Sequence, residues 1–391
     1  MPESAGERMT EEWASHSRSS ESLSSARRAR GLVVALMARA MRVSSEWSLG
    51  FALPKCLTFT VWMGSMASRE MRWCSWPIPA RRLRALRSVE EEAPMTFSPD
   101  ASFPVINIEK GSLHGQFTAE FEKSQALPRM VSFKSGTKSN VVPSKAEALF
   151  EGLDGSDTEA FAHTLEAELG IRFDVTSEGG YMKIEAFGEN GHASTPWKGK
   201  NALTGLLALI EKLELAECGQ VEKIRALNKL MPHGDWFGKN LGIAMEDEES
   251  GQLTLTFSML EITETSLSGD FDSRCPICSN EENTLKPAKA AMAGYGISLN
   301  NDSMNPPHHV PGDSQFVQTL LKSYEMYTGR KGECIAIGGG TYVHHLKNGV
   351  AFGAAMPETE NNMHGPDEFA VIDELLMSAK IFAQVITELC C

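Results

Sequence analysis

Three side chains stand out for what they could do to a divalent cation or a polarised carbonyl. Asp100 ends a Ser-Pro-Asp turn beside a predicted strand. A hard oxygen donor on such a loop suits a divalent metal, and the same residue equally suits a turn that caps its own backbone. His364 lies in NNMHGPDEF, where Gly365 and Pro366 hold a tight turn that can present an imidazole rigidly. Glu368, four residues on, is placed to orient a neighbouring group. His192 sits among the small residues Gly191, Ala193 and Ser194, with Pro196 constraining the exit. The plain alternative for either histidine is an imidazole on a surface loop with no task. The turn Gly338, Gly339, Gly340, Thr341 has the glycine content of a phosphate cradle. It lacks a following Lys-Ser/Thr pair, and no G-x-G-x-x-G occurs, so a nucleotide site is excluded. Cys275 and Cys278 form a lone C-x-x-C, which cannot close a four-ligand zinc site and reads as reduced thiols.

The elements that must position these residues are legible from Pro94 onward. FPVINIEKG reads as a strand ending in a turn. TEAFAHTLEAELG reads as a helix with a glycine stop, YMKIEAFG as an alternating strand, and NALTGLLALIEKLEL as an amphipathic helix. QLTLTFSMLEIT and SGDFDSRCP are neighbouring strands. GDSQFVQTLLKSYEMYTG is a helix capped near Asp313 or Ser314, and VIDELLMSAKIFAQVITELC is a closing helix. Alternating strand and helix signals of this kind imply an α/β fold.

The first ninety residues have a different character. They hold thirteen Arg and one Lys against eight Glu and no Asp, a net of +6. The remaining 23 basic and 43 acidic residues give −20. Five of the seven Trp lie in this first segment, and it has no sustained periodicity. Three readings stay open for residues 1–90: a disordered basic extension, a transit-like leader, or an out-of-frame stretch joined to a genuine one. The overall charge of −14 argues against a nucleic-acid partner. Trp47 to Met66 is apolar-leaning, but Pro54 and Lys55 interrupt it, so no membrane span is expected and the cytoplasm is the default. The eight cysteines are too scattered for a secreted disulfide framework.

Four stretches together resemble the PepV branch of the metallopeptidase superfamily that also contains ArgE and DapE. They are FSPDASFPVINIEKG (Phe97 to Gly111), KSNVVPSKAEA with the later FDSRCP, GENGHASTPWKGKNA (Gly188 to Ala202), and IGGGTYVHHLKNGVAFGAAMPETENNMHGPDEF (Ile337 to Phe369). Their order and spacing agree over about three quarters of the chain. The resemblance implies a zinc-dependent dipeptidase with two ions per site, Asp100 binding one and His364 the other. It implies that His192 reaches from an inserted lid to stabilise the oxyanion of the tetrahedral intermediate. Asn140 and Arg274 correspond to substrate-binding positions of that lid, where an arginine grips a terminal carboxylate bidentately and so favours short peptides. Gly339, Gly340 and Thr341 become a substrate-facing loop. No role is assigned to His344, His345, His308 or His309.

The resemblance also implies an H-x-D motif, a bridging Asp and a Glu-Glu pair upstream of the SPD turn. Upstream of Asp100 this chain has no Asp and a single His, His16. Glu90, Glu91 and Glu92 stand only eight to ten residues before Asp100, where the relatives' pair stands twenty or more before. By this resemblance the expected architecture is an incomplete three-layer α/β/α catalytic domain (residues 91–110 and 306–391) carrying an inserted α+β lid (111–305), as a monomer. The expected function is hydrolysis of short unblocked peptides; the alternative is a catalytically inactive remnant that keeps the lid cleft as a peptide-binding module.

Overall fold

In a computed structural model of the chain, residues 93–361 and 367–390 are described. Residues 1–90, the acidic run Glu90, Glu91 and Glu92, and His364 all lie outside the described residues. The chain is α/β and divides into two compact units. One gathers the described residues up to Ile108 with His309–Ile335 and the chain from Gly340 onward; the other holds Glu109–His308 with Ala336–Gly339. Among the described residues, no helix is long and apolar enough to cross a membrane.

In the first unit, strand Thr96–Ser98 runs parallel to Gly349–Ala351, which pairs in turn with the antiparallel strand Val105–Glu109. Val105–Glu109 is buried along its whole length, as its Val-Ile-x-Ile run demands of a central strand. No turn follows it. A single residue, Lys110, separates it from the ten-residue strand Gly111–Glu120, so the glycine that suggested a turn begins a second strand instead. A β-carbon at Gly111 would lie 2.7 Å from the Asn305 carbonyl oxygen, and close backbone approach explains that glycine better than a bend.

Helix Gln315–Thr328 starts at Ser314, whose hydroxyl accepts from the Val317 N–H, and stops at Gly329 in the left-handed region (φ 69°). The core of this unit is aromatic. The Phe103 ring is fully buried, stacks on Tyr324 at 5.4 Å and meets the Phe352 edge at 4.9 Å. Phe97 tilts against Phe382 of the closing helix Ile372–Cys390 at 5.5 Å. Each such pair contributes about 0.5–1.5 kcal/mol beyond its buried area.

The second unit is built on an eight-stranded sheet. Its order is Ser298–Leu299, Gly111–Glu120, Ser266–Cys275, Thr254–Ile262, Arg129–Ser135, Lys145–Glu151, Tyr181–Phe187, Arg172–Glu178, every pair antiparallel. Alternation in YMKIEAF puts Met182, Ile184 and Ala186 into the core. Helix Gly155–Leu169 begins where the Asp154 carboxylate accepts from the Ser156 and Asp157 N–H groups, and ends at Gly170 (φ 65°). Helix Ala202–Glu211 differs from its expected amphipathic form. Eight of its ten residues are buried, because its apolar side chains leave only one narrow polar stripe. It also stops at Glu211, short of the expected end.

Candidate functional site

Asn140 and His192 lie on separate loops that leave neighbouring strands at one end of the eight-stranded sheet, since Lys145 is registered against Phe187. A two-residue ribbon ties the loops together: His192 pairs with Val141 and Gly191 with Val142. The Ala193 N–H then donates to the Asn140 carbonyl at 3.0 Å. The His192 loop closes on itself through reciprocal Glu189 and Lys200 backbone bonds of 2.9 Å. Its glycines serve that closure. A β-carbon at Gly188 would sit 2.0 Å from the Lys200 oxygen, so no other residue lets the two limbs meet.

The His192 ring is fixed from behind. Its Nδ1 accepts from the Ser194 N–H at 3.2 Å and lies 2.7 Å from the Ser194 hydroxyl. With Nδ1 accepting a backbone proton, the neutral imidazole carries its own proton on Nε2. The same loop is anchored to the sheet, where the Thr256 hydroxyl donates to the Ala193 carbonyl at 3.2 Å.

Thr256 is registered opposite Asp272, and Thr254 opposite Arg274. Arg274 is not the surface charge that its place at a strand end allowed, since its side chain is only 12% exposed. Its Nε and Nη2 donate to the two oxygens of Asp272 at 2.6 and 2.8 Å, and Nη1 donates to the Gly338 carbonyl at 2.8 Å. Gly338 in turn abuts the His192 loop: a β-carbon there would lie 2.7 Å from Ser194 Cβ. Four stretches far apart in sequence therefore converge within one unit, at Asn140, His192 with Ser194, Arg274, and Gly338. Gly339 continues from Gly338 into open space.

Asp272 is fully buried and also lies 3.1 Å from His114 Nδ1. Burial pushes its carboxyl up, but hydrogen bonds from His114 and Arg274 outweigh this and hold it below the ordinary carboxylate range. Asp272, His114 and Ser194 were not assigned site roles from sequence. Asp272 had a signal, because Asp-x-Arg on a strand puts both side chains on one face. His114 had none.

The remaining predicted residues lie elsewhere. Gly340 and Thr341 belong to the other unit, where the Thr341 hydroxyl accepts from the Val343 N–H and caps the short helix Tyr342–His345. Asp100 is exposed in that unit, its N–H donating to the Ser98 hydroxyl at 3.2 Å. Burial, ahead of the Asp100 charge, raises the nearby Tyr342 phenol. Among the described residues no group of three or more His, Cys, Asp and Glu is arranged to hold a metal ion. Cys275 is buried, with its thiol pushed up to about 11 by burial, while Cys278 is exposed.

Residues 79–388 match the family described as peptidase family M20/M25/M40. A putative dipeptidase, YtjP of Bacillus subtilis (strain 168), is 35% identical over 304 residues, covering 77% of this chain and 64% of the relative. The beta-Ala-Xaa dipeptidase of Lactobacillus delbrueckii subsp. lactis is 32% identical over 301 residues, covering 75% and 62%. The chain thus spans less than two thirds of the length of these relatives. The crystal structure of aminoacylhistidine dipeptidase from Vibrio alginolyticus overlaps with a TM-score of 0.43 at 15% identity, covering 76% of this chain and 66% of that one.

Proposed function

The chain belongs to peptidase family M20/M25/M40, and on that premise we propose that it hydrolyses dipeptides and other short unblocked peptides by metal-dependent chemistry, zinc being the metal. The observation that carries this reading is the convergence of four stretches in one unit: the Ala193 N–H bonds to the Asn140 carbonyl, Arg274 bonds to the Gly338 carbonyl, and Gly338 abuts Ser194 beside His192. On this reading Arg274 receives the free carboxylate of the peptide, since its three bonds to protein leave two of its five N–H groups. Asn140 contributes an amide to peptide binding. His192, with its Nδ1 turned to the Ser194 N–H, presents Nε2 as the donor that a developing oxyanion needs. Gly339 lets the peptide pass close to backbone. The enzyme acts as a cytoplasmic monomer.

The donors among the described residues do not by themselves make a two-metal centre. Asp100 and His364 together supply two donors, fewer than a tight divalent site takes. Asp100 and His364 remain the residues we assign as ligands. A second reading, a peptide-binding module without hydrolysis, draws on one observation: upstream of Asp100 the chain has no Asp and a single His.

One experiment separates the two. The purified chain is equilibrated with zinc, its metal content measured, and alanyl-leucine added while amino-acid release and binding heat are followed. Release with about two zinc ions per chain supports the enzyme. Binding without release supports the module. Neither binding nor release refutes both.

A further inference from the structure

A guanidinium that is to grip a carboxylate must be held still, because ordering a long arginine side chain costs rotamer entropy and any of its edges can turn outward. In this unit the orientation is set by Asp272. The carboxylate takes the whole Nε–Nη2 edge of Arg274, one oxygen to each nitrogen, at 2.6 and 2.8 Å. Asp272 and Arg274 are two residues apart on one strand, so both side chains rise from the same face. The Arg274 side chain is thereby folded along its own strand, with Nη1 against the Gly338 carbonyl. Asp272 is itself immobilised: it is fully buried, and His114 approaches its Oδ2 at 3.1 Å from the neighbouring strand, where the two residues are registered directly opposite. Asp270, the next residue on that face, also stands near enough to His114 to feel its charge.

We propose that Asp272, backed by His114, is a positioning residue for carboxylate recognition. It fixes the Arg274 guanidinium so that one N–H on each terminal nitrogen is left for the C-terminal carboxylate of a peptide. Asp272 does not touch the ligand. It selects the outward edge of the residue that does, and its preorganisation spares the ligand the cost of ordering that side chain. The inference rests on the reading of Arg274 as the carboxylate grip.

The test compares alanyl-leucine with its C-terminal amide, measuring binding of each by calorimetry on the full chain. The unaltered protein is expected to bind the free acid at least about tenfold tighter than the amide, as loss of a charge-assisted pair of about 1.5–3 kcal/mol requires. Asp272→Asn should weaken the acid about 10- to 100-fold and leave the amide unchanged, since the asparagine N–H₂ faces the guanidinium edge and turns it. A merely structural role would weaken both ligands together, or neither. His114→Ala, at a half-exposed position, removes one donor to Asp272 without opening the core. It should lower the acid-to-amide ratio about two- to fivefold, and it decides the question if Asp272→Asn does not fold. An unchanged ratio in the folded variants overturns the role of Asp272. A ratio of one in the unaltered protein overturns the Arg274 reading itself, and this inference with it.

Discussion

Replacing Gly338 by alanine, and separately its neighbour Gly339, poses one chemical question at adjacent positions with opposite expected answers. At Gly338 the new methyl carbon would stand 2.7 Å from Ser194 Cβ and 3.6 Å from Arg274 Cγ. Carbon atoms pack at about 3.5–4.0 Å, so the first contact falls short by about 1 Å. Ser194 cannot swing aside cheaply, because both its N–H and its hydroxyl engage His192 Nδ1. Overpacking of this kind costs about 1–3 kcal/mol. At Gly339 nothing lies within 4 Å and φ is not in the left-handed region. Alanine there should stabilise by about 0.4–1 kcal/mol, by narrowing the unfolded ensemble. The two variants should therefore differ by about 1.5–4 kcal/mol. Urea denaturation, read by hydrogen exchange on the peptide carrying Ser266–Cys275, measures that gap where it arises. Equal stabilities, within about 0.5 kcal/mol, would refute the close approach of Gly338 to the His192 loop.

Three shorter predictions accompany it. The Thr254 hydroxyl is buried with no hydrogen-bond partner among the described residues, so Thr254→Val should stabilise the eight-stranded unit by about 1–3 kcal/mol in the same urea assay. With its thiol raised to about 11 by burial, Cys275 should resist iodoacetamide at neutral pH while exposed Cys278 is alkylated, as peptide mass spectrometry will report. Because the folded carboxyl of Asp272 is depressed, its contribution to stability is full above the unfolded value of about 3.9. That contribution fades as pH falls from there through the folded value. An acid titration of stability should thus show a step below about pH 4 that Asp272→Asn abolishes.

Local signals carried much of the fold. The glycines after Leu169 and Thr328 end their helices because only glycine enters the left-handed region without strain. The alternation in YMKIEAF fixes which side of its strand is buried. Where the reading slipped, a local signal had two physical meanings. Gly111 suggested a bend and instead admits a neighbouring backbone; the Ala202–Glu211 helix showed some polar residues and is nonetheless buried nearly all round. Strand Gly111–Glu120, which alternates over most of its length, went unread because small and polar residues such as Ser112, His114 and Gly115 hide its period.

The amino-acid order by itself determined the α/β class, the helix and strand types, and the chemistry available at Asn140, His192 and Arg274, because propensity, capping and side-chain chemistry act over a few residues. Only the tertiary structure decided that Asp272 and His114 stand behind Arg274 and that Gly338 meets Ser194. Those are consequences of strand register and loop closure, which are set by pairing between distant segments and leave no trace in the neighbourhood of any one residue.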